Sequence, residues 1–175
     1  GPLQAGKVEK VETLMRDLQA AGARVDGLGD QAHFAGPLPD NATLWARLDR
    51  LAAFGVPLLI TEYDQSWKGM TDEAQGEALR RFVTLCFAHP AVRGIYIWGF
   101  WDGQHWRKGC GLWRQDWSIK PNGQAWVDLL TKTWTSTGEA VAADGRIRFR
   151  GFPGTYRVEH AGGSIDLRAG LAATP

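Results

Sequence analysis

Residues 57–64 read PLLITEYD, and this stretch decides the predicted fold. A continuous apolar run is typical of a strand that is buried on both faces, as in a parallel sheet. Two carboxylates follow the run, at positions 62 and 64. Side chains two positions apart on a strand point the same way, so we expect Glu62 and Asp64 to face one site.

Helical and strand patterns alternate on both sides of this stretch. Helices are expected over residues 7–21, 41–54 and 71–88, and a fourth from Pro121. Strands are expected over residues 24–29, 56–61 and 92–99. Alternation with short links is typical of βα units, so the sequence predicts an α/β fold with a parallel sheet.

The chain changes character after about residue 134. Three segments, residues 145–151, 155–160 and 163–168, alternate apolar and polar side chains and are separated by glycine-containing turns. This pattern is typical of short antiparallel strands. We therefore predict two domains, an α/β part over residues 1–134 and a small β-rich appendage over residues 135–175.

Composition and charge exclude several classes of function. The chain has 20 basic and 19 acidic residues with no basic stripe, so no nucleic-acid partner is expected. No apolar stretch approaches the ~20 residues that cross a bilayer, and no signal peptide is recognised, so no membrane partner is expected. Two cysteines, Cys86 and Cys110, fit no metal motif, and their spacing leaves open whether Cys110 is free or paired.

Tryptophan is the one unusual component of the composition. The chain has nine, and five of them fall between Trp98 and Trp117. Flat indole rings can stack on the apolar faces of sugars, although they also serve ordinary packing. The density alone therefore leaves carbohydrate binding and core packing both open.

Polar side chains follow each of the three predicted strands. Gln31 and His33 follow the first, Glu62 and Asp64 the second, and Trp98 with a polar loop the third. Taken singly, the acids could be solvated loop residues and the histidine a structural one. Functional groups in parallel α/β folds gather at the carboxyl ends of strands, so three such ends in succession favour a site.

Three segments carry a family resemblance. Residues 25–34 (VDGLGDQAHF), 57–64 and 94–107 (GIYIWGFWDGQHWR) closely resemble, in order and spacing, the last three strands of glycoside hydrolase family 10. That family consists of endo-β-1,4-xylanases with a (β/α)8, or TIM, barrel. The resemblance covers residues 7–134 and implies strands 6 to 8 with their helices. The tail from Gly145 resembles a small antiparallel β appendage found in one branch of the family.

The resemblance also implies roles for individual residues. Glu62 matches the nucleophile, and His33 and Asp64 match the pair that keeps it hydrogen-bonded and ionised. Gln31, Trp98, Trp106 and Arg107 match substrate-binding positions. Three departures stand out: Ala32 replaces a glycine, Tyr63 a leucine or phenylalanine, and Asp102 a glutamate.

The second carboxyl group of a retaining glycosidase is missing from the pattern. Such enzymes hold two carboxyl groups ~5–5.5 Å apart, and in this family the general acid/base belongs to an Asn-Glu pair. No Asn-Glu pair occurs in these residues. We therefore expect the N-terminal barrel portion, in the same or a separate chain, or a second copy, as a partner.

The expected function is that of an endo-1,4-β-xylanase acting on xylan or xylo-oligosaccharides, with no metal or cofactor. The resemblance also implies a secreted or extracellular protein. Two alternatives stay open, a non-catalytic carbohydrate-binding fragment and a self-associating half-barrel that lacks the general acid.

Overall fold

A parallel sheet of four strands organises the first part of the chain in this computed structural model, which describes residues 1–170. The strands are β1 (Leu28–Asp30), β2 (His33–Phe34), β3 (Leu58–Gln65) and β4 (Val92–Ile97). β1 and β4 both pair with the start of β3, so β3 lies between them, and β2 pairs with the end of β3. The expected α/β fold with a parallel sheet is confirmed.

Four α-helices accompany the sheet: α1 (Val8–Ala20), α2 (Asn41–Ala52), α3 (Asp72–Ala88) and α4 (Pro121–Asp128), the last continued by a π-helical turn, Leu129–Thr133. Each was expected from the sequence. None of the described helices is long and apolar enough to cross a bilayer.

The cap of α2 is the residue that precedes Asn41, the first residue of the helix. Asp40 is the cap, and its carboxylate accepts hydrogen bonds from the backbone N–H of Thr43 at 2.8 Å and from the Thr43 hydroxyl at 2.7 Å. An aspartate one position earlier can reach the third N–H of the helix, which Asn41 inside the helix cannot.

The sheet also departs from the expected strand limits. The first strand begins at Leu28, whose N–H donates to Pro57 O, and not at Arg24. Arg24 forms instead an exposed ion pair with Asp26. β3 continues four residues beyond the expected end at Thr61, because its last residues pair with β2, a strand that the sequence pattern did not predict.

Aromatic packing fixes the carboxyl end of β3. The Tyr63 ring stacks on Phe82 of α3 with centroids 4.6 Å apart, and Phe34 packs edge-on against Phe82 at 5.4 Å. All three residues are buried. Close aromatic pairs add to the stabilisation from burial alone, so β2, β3 and α3 are held together where the polar residues begin.

The chain divides into two compact units, residues 1–126 and a second unit that begins at Val127. In the second unit β5 (Gly154–His160) and β6 (Gly163–Ala169) form an antiparallel hairpin. The expected strand over residues 145–151 is wrong, since only a single bridge forms there, between Ala143 and Arg146. The predicted division after residue 134 stays a prediction, and residues 171–175 of that predicted appendage lie outside the described residues.

Candidate active site

Ala32 interrupts the strand that carries His33. Its φ of +54° is left-handed, a conformation that glycine adopts without strain, which accounts for the glycine expected at this position. Its backbone N–H donates to Asp30 Oδ1 at 2.6 Å. Leu28 pairs with Leu58 whereas His33 pairs with Asp64, so the interruption shifts the register by one residue. The shift places the His33 ring at the carboxyl end of β3.

The His33 ring lies between two carboxylates. Nε2 is hydrogen-bonded to Glu62 Oε2 at 3.2 Å. Nδ1 lies 3.0 Å from Asp64 Oδ2 but off the direction of a hydrogen bond, so the second carboxylate is in close contact with the ring without being hydrogen-bonded to it. The expectation that positions 62 and 64 face one site with His33 is therefore met by the geometry.

Asp64 is the buried centre of the cluster, with a side chain fully shielded from solvent. The Trp106 indole N–H donates to Asp64 Oδ2 at 2.7 Å, and Arg107 Nη1 lies 3.3 Å from Asp64 Oδ1. Arg107 also donates to Phe34 O at 3.0 Å. These contacts compensate the buried charge of Asp64, which would be costly if it were unpaired.

Two tryptophans flank the histidine. Trp106 meets the His33 ring edge-on at 5.2 Å and Trp98 at 6.5 Å. Both remain open to solvent, with exposed fractions of 60% for Trp106 and 46% for Trp98. The Arg107 guanidinium lies over the Trp106 ring, 4.6 Å from its centroid. Exposed indole surface beside a carboxylate is suited to a sugar ring, which has both apolar faces and hydroxyl groups.

The remaining predicted residues are placed differently. Gln31 is exposed, and no described hydrogen bond joins its amide to His33, Glu62 or Asp64. Arg107 does reach the cluster, but its guanidinium is engaged by Asp64, Phe34 and Trp106. The sequence predicted a substrate-binding role for Arg107 and not its contacts with Asp64 and Phe34. The loop that carries Arg107 has no regular period from which such contacts can be predicted.

A buried ion pair holds the loop that carries Trp106. Lys120, only 3% exposed, donates to Gly109 O at 2.8 Å and lies 3.5 Å from Asp102 Oδ2. Asp102 Oδ1 accepts the N–H of Gly111 at 2.8 Å. The sequence did not predict this ion pair. Asp102 stood out only because it replaces a glutamate, and no pattern in the sequence pointed to Lys120.

A tryptophan pair forms a second feature of the same loop. Trp101 and Trp117 stack with centroids 5.0 Å apart and planes 12° apart. Trp117 has a left-handed φ of +67°, in a turn closed by the hydrogen bond from its N–H to Arg114 O. Part of the tryptophan density therefore serves packing within the loop.

Both cysteines are free and buried, which answers for Cys110 the question that its spacing left open. Burial, and to a smaller extent the nearby charge of Asp64, raise the pKa of the Cys110 thiol to about 11. Asp64, His105 and Cys110 each present a ligand atom, and these atoms lie within 4.8 Å of one another. They are the described residues that could hold a metal ion.

The fold is of the α/β class, and the cluster lies where such folds carry their functional groups. Two carboxylates stand at the carboxyl end of β3, with a histidine between them and open indole faces beside them.

The chain belongs to glycosyl hydrolase family 10, whose family model matches residues 3–128. Endo-1,4-beta-xylanase 3 of Arabidopsis thaliana is 34% identical over 152 residues, which are 86% of this chain and 20% of that protein. The anti-sigma-I factor RsgI6 of Acetivibrio thermocellus is 35% identical over 147 residues, 83% of this chain and 19% of that protein.

Solved structures agree with this family. Xylanase 10B from Thermotoga petrophila, in complex with xylobiose, superposes with a TM-score of 0.65 at 26% identity, covering 73% of this chain and 42% of that one. The chain thus spans about a fifth of the length of the two curated relatives and less than half of the solved xylanase.

Proposed function

We propose that this chain is the part of a retaining endo-1,4-β-xylanase that carries the nucleophile, Glu62. The observation that carries the proposal is the 3.2 Å hydrogen bond between His33 Nε2 and Glu62 Oε2, at the carboxyl end of a parallel strand. Membership of the family and the relatives named as endo-1,4-beta-xylanases support xylan or xylo-oligosaccharides as the substrate.

In this proposal the Glu62 carboxylate attacks the anomeric carbon of the xylose unit before the cleaved bond. The attack forms a covalent glycosyl-enzyme, which water then hydrolyses. His33 donates its Nε2–H to Glu62 and so holds one carboxylate oxygen, leaving the other free to attack. Asp64 lies 3.0 Å from the opposite ring nitrogen, Nδ1, and so helps to fix the orientation of the His33 ring.

The substrate surface follows from the same arrangement. Trp98 and Trp106 present open ring faces beside Glu62, and Gln31 adds an exposed amide at the end of the neighbouring strand. We assign Arg107 to this subsite through Trp106, whose ring it supports. In this proposal these side chains line the subsite before the cleaved bond.

In this proposal β1 and β2 together are the sixth strand of a (β/α)8 barrel, β3 is the seventh and β4 is the eighth. Among the described strands, β1 and β4 each pair only with β3, so each leaves a row of backbone groups available to another strand. The N-terminal portion of the barrel, in the same or a separate polypeptide, would pair with both edges. It would also supply the general acid/base, since no Asn-Glu pair occurs in this chain.

The decisive experiment combines this chain with the N-terminal portion of a family relative and assays an aryl β-xylobioside. Glu62→Ala is expected to lower kcat by ~10⁴-fold or more, because the nucleophile is lost. Azide should restore turnover and yield a glycosyl azide of inverted configuration, since it can attack where Glu62 is missing. The matched control is Glu77→Ala on the exposed side of α3, which should leave kcat unchanged.

A mechanism-based 2-fluoro xylobioside provides a second readout. It should label Glu62 covalently in the combined enzyme, and peptide mass analysis should locate the label. Full activity of Glu62→Ala, or a label on another carboxylate, would overturn the assignment.

A non-catalytic carbohydrate-binding role is the second candidate, favoured by the relative named as an anti-sigma factor and not as an enzyme. It predicts that the chain alone is retarded in a xylan-containing gel and that no combination with an N-terminal portion gives turnover. A self-associating half-barrel would instead be a dimer by light scattering. We also propose that the protein acts outside the cell, where xylan is found, and fractionation of the source organism tests this.

A further inference from the structure

Asp64 also belongs to a second cluster of reactive side chains, which His33 and Glu62 do not share. The ligand atoms of Asp64, His105 and Cys110 lie within 4.8 Å of one another. Asp64 comes from β3 and the other two from the loop after β4, so the sequence spacing hides the cluster. We propose that these three side chains form a binding site for a divalent cation of the Zn²⁺ type.

The hydrogen bonds of His105 prepare it as a ligand. Its Nε2 lies 2.6 Å from the carbonyl oxygen of Trp98, which can only accept, so Nε2 carries the proton. Nδ1 therefore carries the lone pair, which accepts the N–H of Arg107 at 3.1 Å, and a cation at Nδ1 would displace that hydrogen bond. A histidine whose other nitrogen donates to a backbone carbonyl has the orientation found at metal centres.

Asp64 offers the second ligand atom. Its Oδ1 is buried and accepts no hydrogen bond, whereas Oδ2 accepts the N–H of Trp106 at 2.7 Å. The charge nearest Oδ1 is Arg107 Nη1, at 3.3 Å. A cation at the cluster would take over this contact, and Arg107 would keep its bond to Phe34 O. Arg107 and the cation therefore compete for the same carboxylate oxygen.

Cys110 provides the third ligand atom and decides which cations fit. On binding, the S–H bond breaks, the sulfur forms a bond to the cation, and the proton leaves to water. Thiolate, imidazole and carboxylate together suit Zn²⁺ and related borderline ions, whereas Mg²⁺ and Ca²⁺ prefer oxygen ligands alone. A small cavity that Asp64 and Cys110 line, but His105 does not, has room for about one water molecule beside the cluster.

Occupation of this site would reach the candidate nucleophile. Asp64 contacts His33, and His33 holds Glu62. A cation bound to Asp64 neutralises the negative charge that faces His33. The His33 ring is then no longer held in the position in which it is hydrogen-bonded to Glu62. Inhibition of turnover by Zn²⁺ rests on the proposed function, but binding of the cation does not.

The test measures binding on this chain by equilibrium dialysis against Zn²⁺ and by the ultraviolet charge-transfer band of a Cd²⁺–thiolate bond. We expect one ion per chain, and Cys110→Ser and His105→Asn should each weaken binding by about tenfold or more. The Cd²⁺ band should vanish in Cys110→Ser. Cys86→Ala, which removes the other buried free thiol, is the matched control and should change neither readout.

Arg107→Gln distinguishes this site from adventitious thiol binding. It removes the competing charge, so Zn²⁺ should bind severalfold more tightly. Absence of stoichiometric binding, a Cd²⁺ band that survives Cys110→Ser, or weaker binding in Arg107→Gln would each overturn the proposal. If Zn²⁺ binds as expected but does not inhibit the combined enzyme, the metal site stands and the role of Asp64 in turnover fails.

Discussion

His33 and Asp64 depend on a tryptophan for their geometry. Because the Trp106 N–H donates to Asp64 Oδ2, the ring that borders the proposed sugar site also positions the acid behind the histidine. Stacking on sugar and positioning of Asp64 can be separated experimentally, because only the second requires the indole nitrogen.

Trp106→Phe keeps an aromatic face and removes the N–H. A buried acceptor that loses its donor costs about 1–3 kcal/mol, so we expect kcat of the combined enzyme to fall by about tenfold or more while KM changes little. Steady-state kinetics on an aryl xylobioside measure both constants. Trp117→Phe, in the turn that its N–H closes with Arg114 O, is the control. A change confined to KM would contradict the positioning role.

At the scale of the element, the start of α3 agrees with the helix expected from residue 71. Thr71 is the N-cap, and its hydroxyl accepts the N–H of Ala74 at 3.2 Å. α3 carries Phe82, on which the end of β3 packs, so the cap contributes to the position of the site.

Thr71→Ala should lower the free energy of unfolding by about 1 kcal/mol, because an orphan N–H loses its acceptor. Urea titration followed by circular dichroism measures the change. Thr84→Ala, at an exposed position inside the same helix, should be neutral or slightly stabilising, since alanine is the better helix former. Equal losses in the two variants would show that capping is not the cause.

The helices were predictable from the regular spacing of their apolar residues, and β3 and β4 from continuous apolar runs. The proximity of His33, Glu62 and Asp64 was predictable as well, because the carboxyl ends of parallel strands meet at one edge of the sheet. β2 was not predictable, because two residues after the left-handed Ala32 carry no period. Residues 145–151 alternate like a strand, yet their three arginines place like charges on one face and pairing is limited to one bridge.

The loop after β4 was the least predictable part. Its geometry depends on single long-range contacts, such as Lys120 with Asp102 and Arg107 with Asp64. Such contacts follow from the tertiary fold and leave no local pattern. The cluster of Asp64, His105 and Cys110 escaped prediction for the same reason.

At the scale of the whole molecule, one buried acid couples stability to pH. Burial raises the pKa of Asp30 above its ordinary value, although the N–H groups of Leu3 and Ala32 donate to it and act in the opposite direction. An acid whose pKa is raised in the folded state stabilises the fold fully when the pH is below the pKa of the unfolded chain. This contribution is lost as the pH rises through the pKa of the folded state.

Asp30→Asn removes this titration. The free energy of unfolding of the original chain, minus that of the variant, should therefore fall as the pH rises from the ordinary aspartate value into the weakly acidic range. Urea titrations of both chains at a series of pH values provide the difference. A difference that stays constant or grows with pH would contradict a raised pKa.

The stacked indoles of Trp101 and Trp117 have an optical consequence. Two nearly parallel chromophores 5.0 Å apart couple their electronic transitions, so the pair should produce a paired positive and negative band in circular dichroism. The intensity of the couplet is thus an internal reporter of the order of the loop between β4 and α4, readable without any added dye.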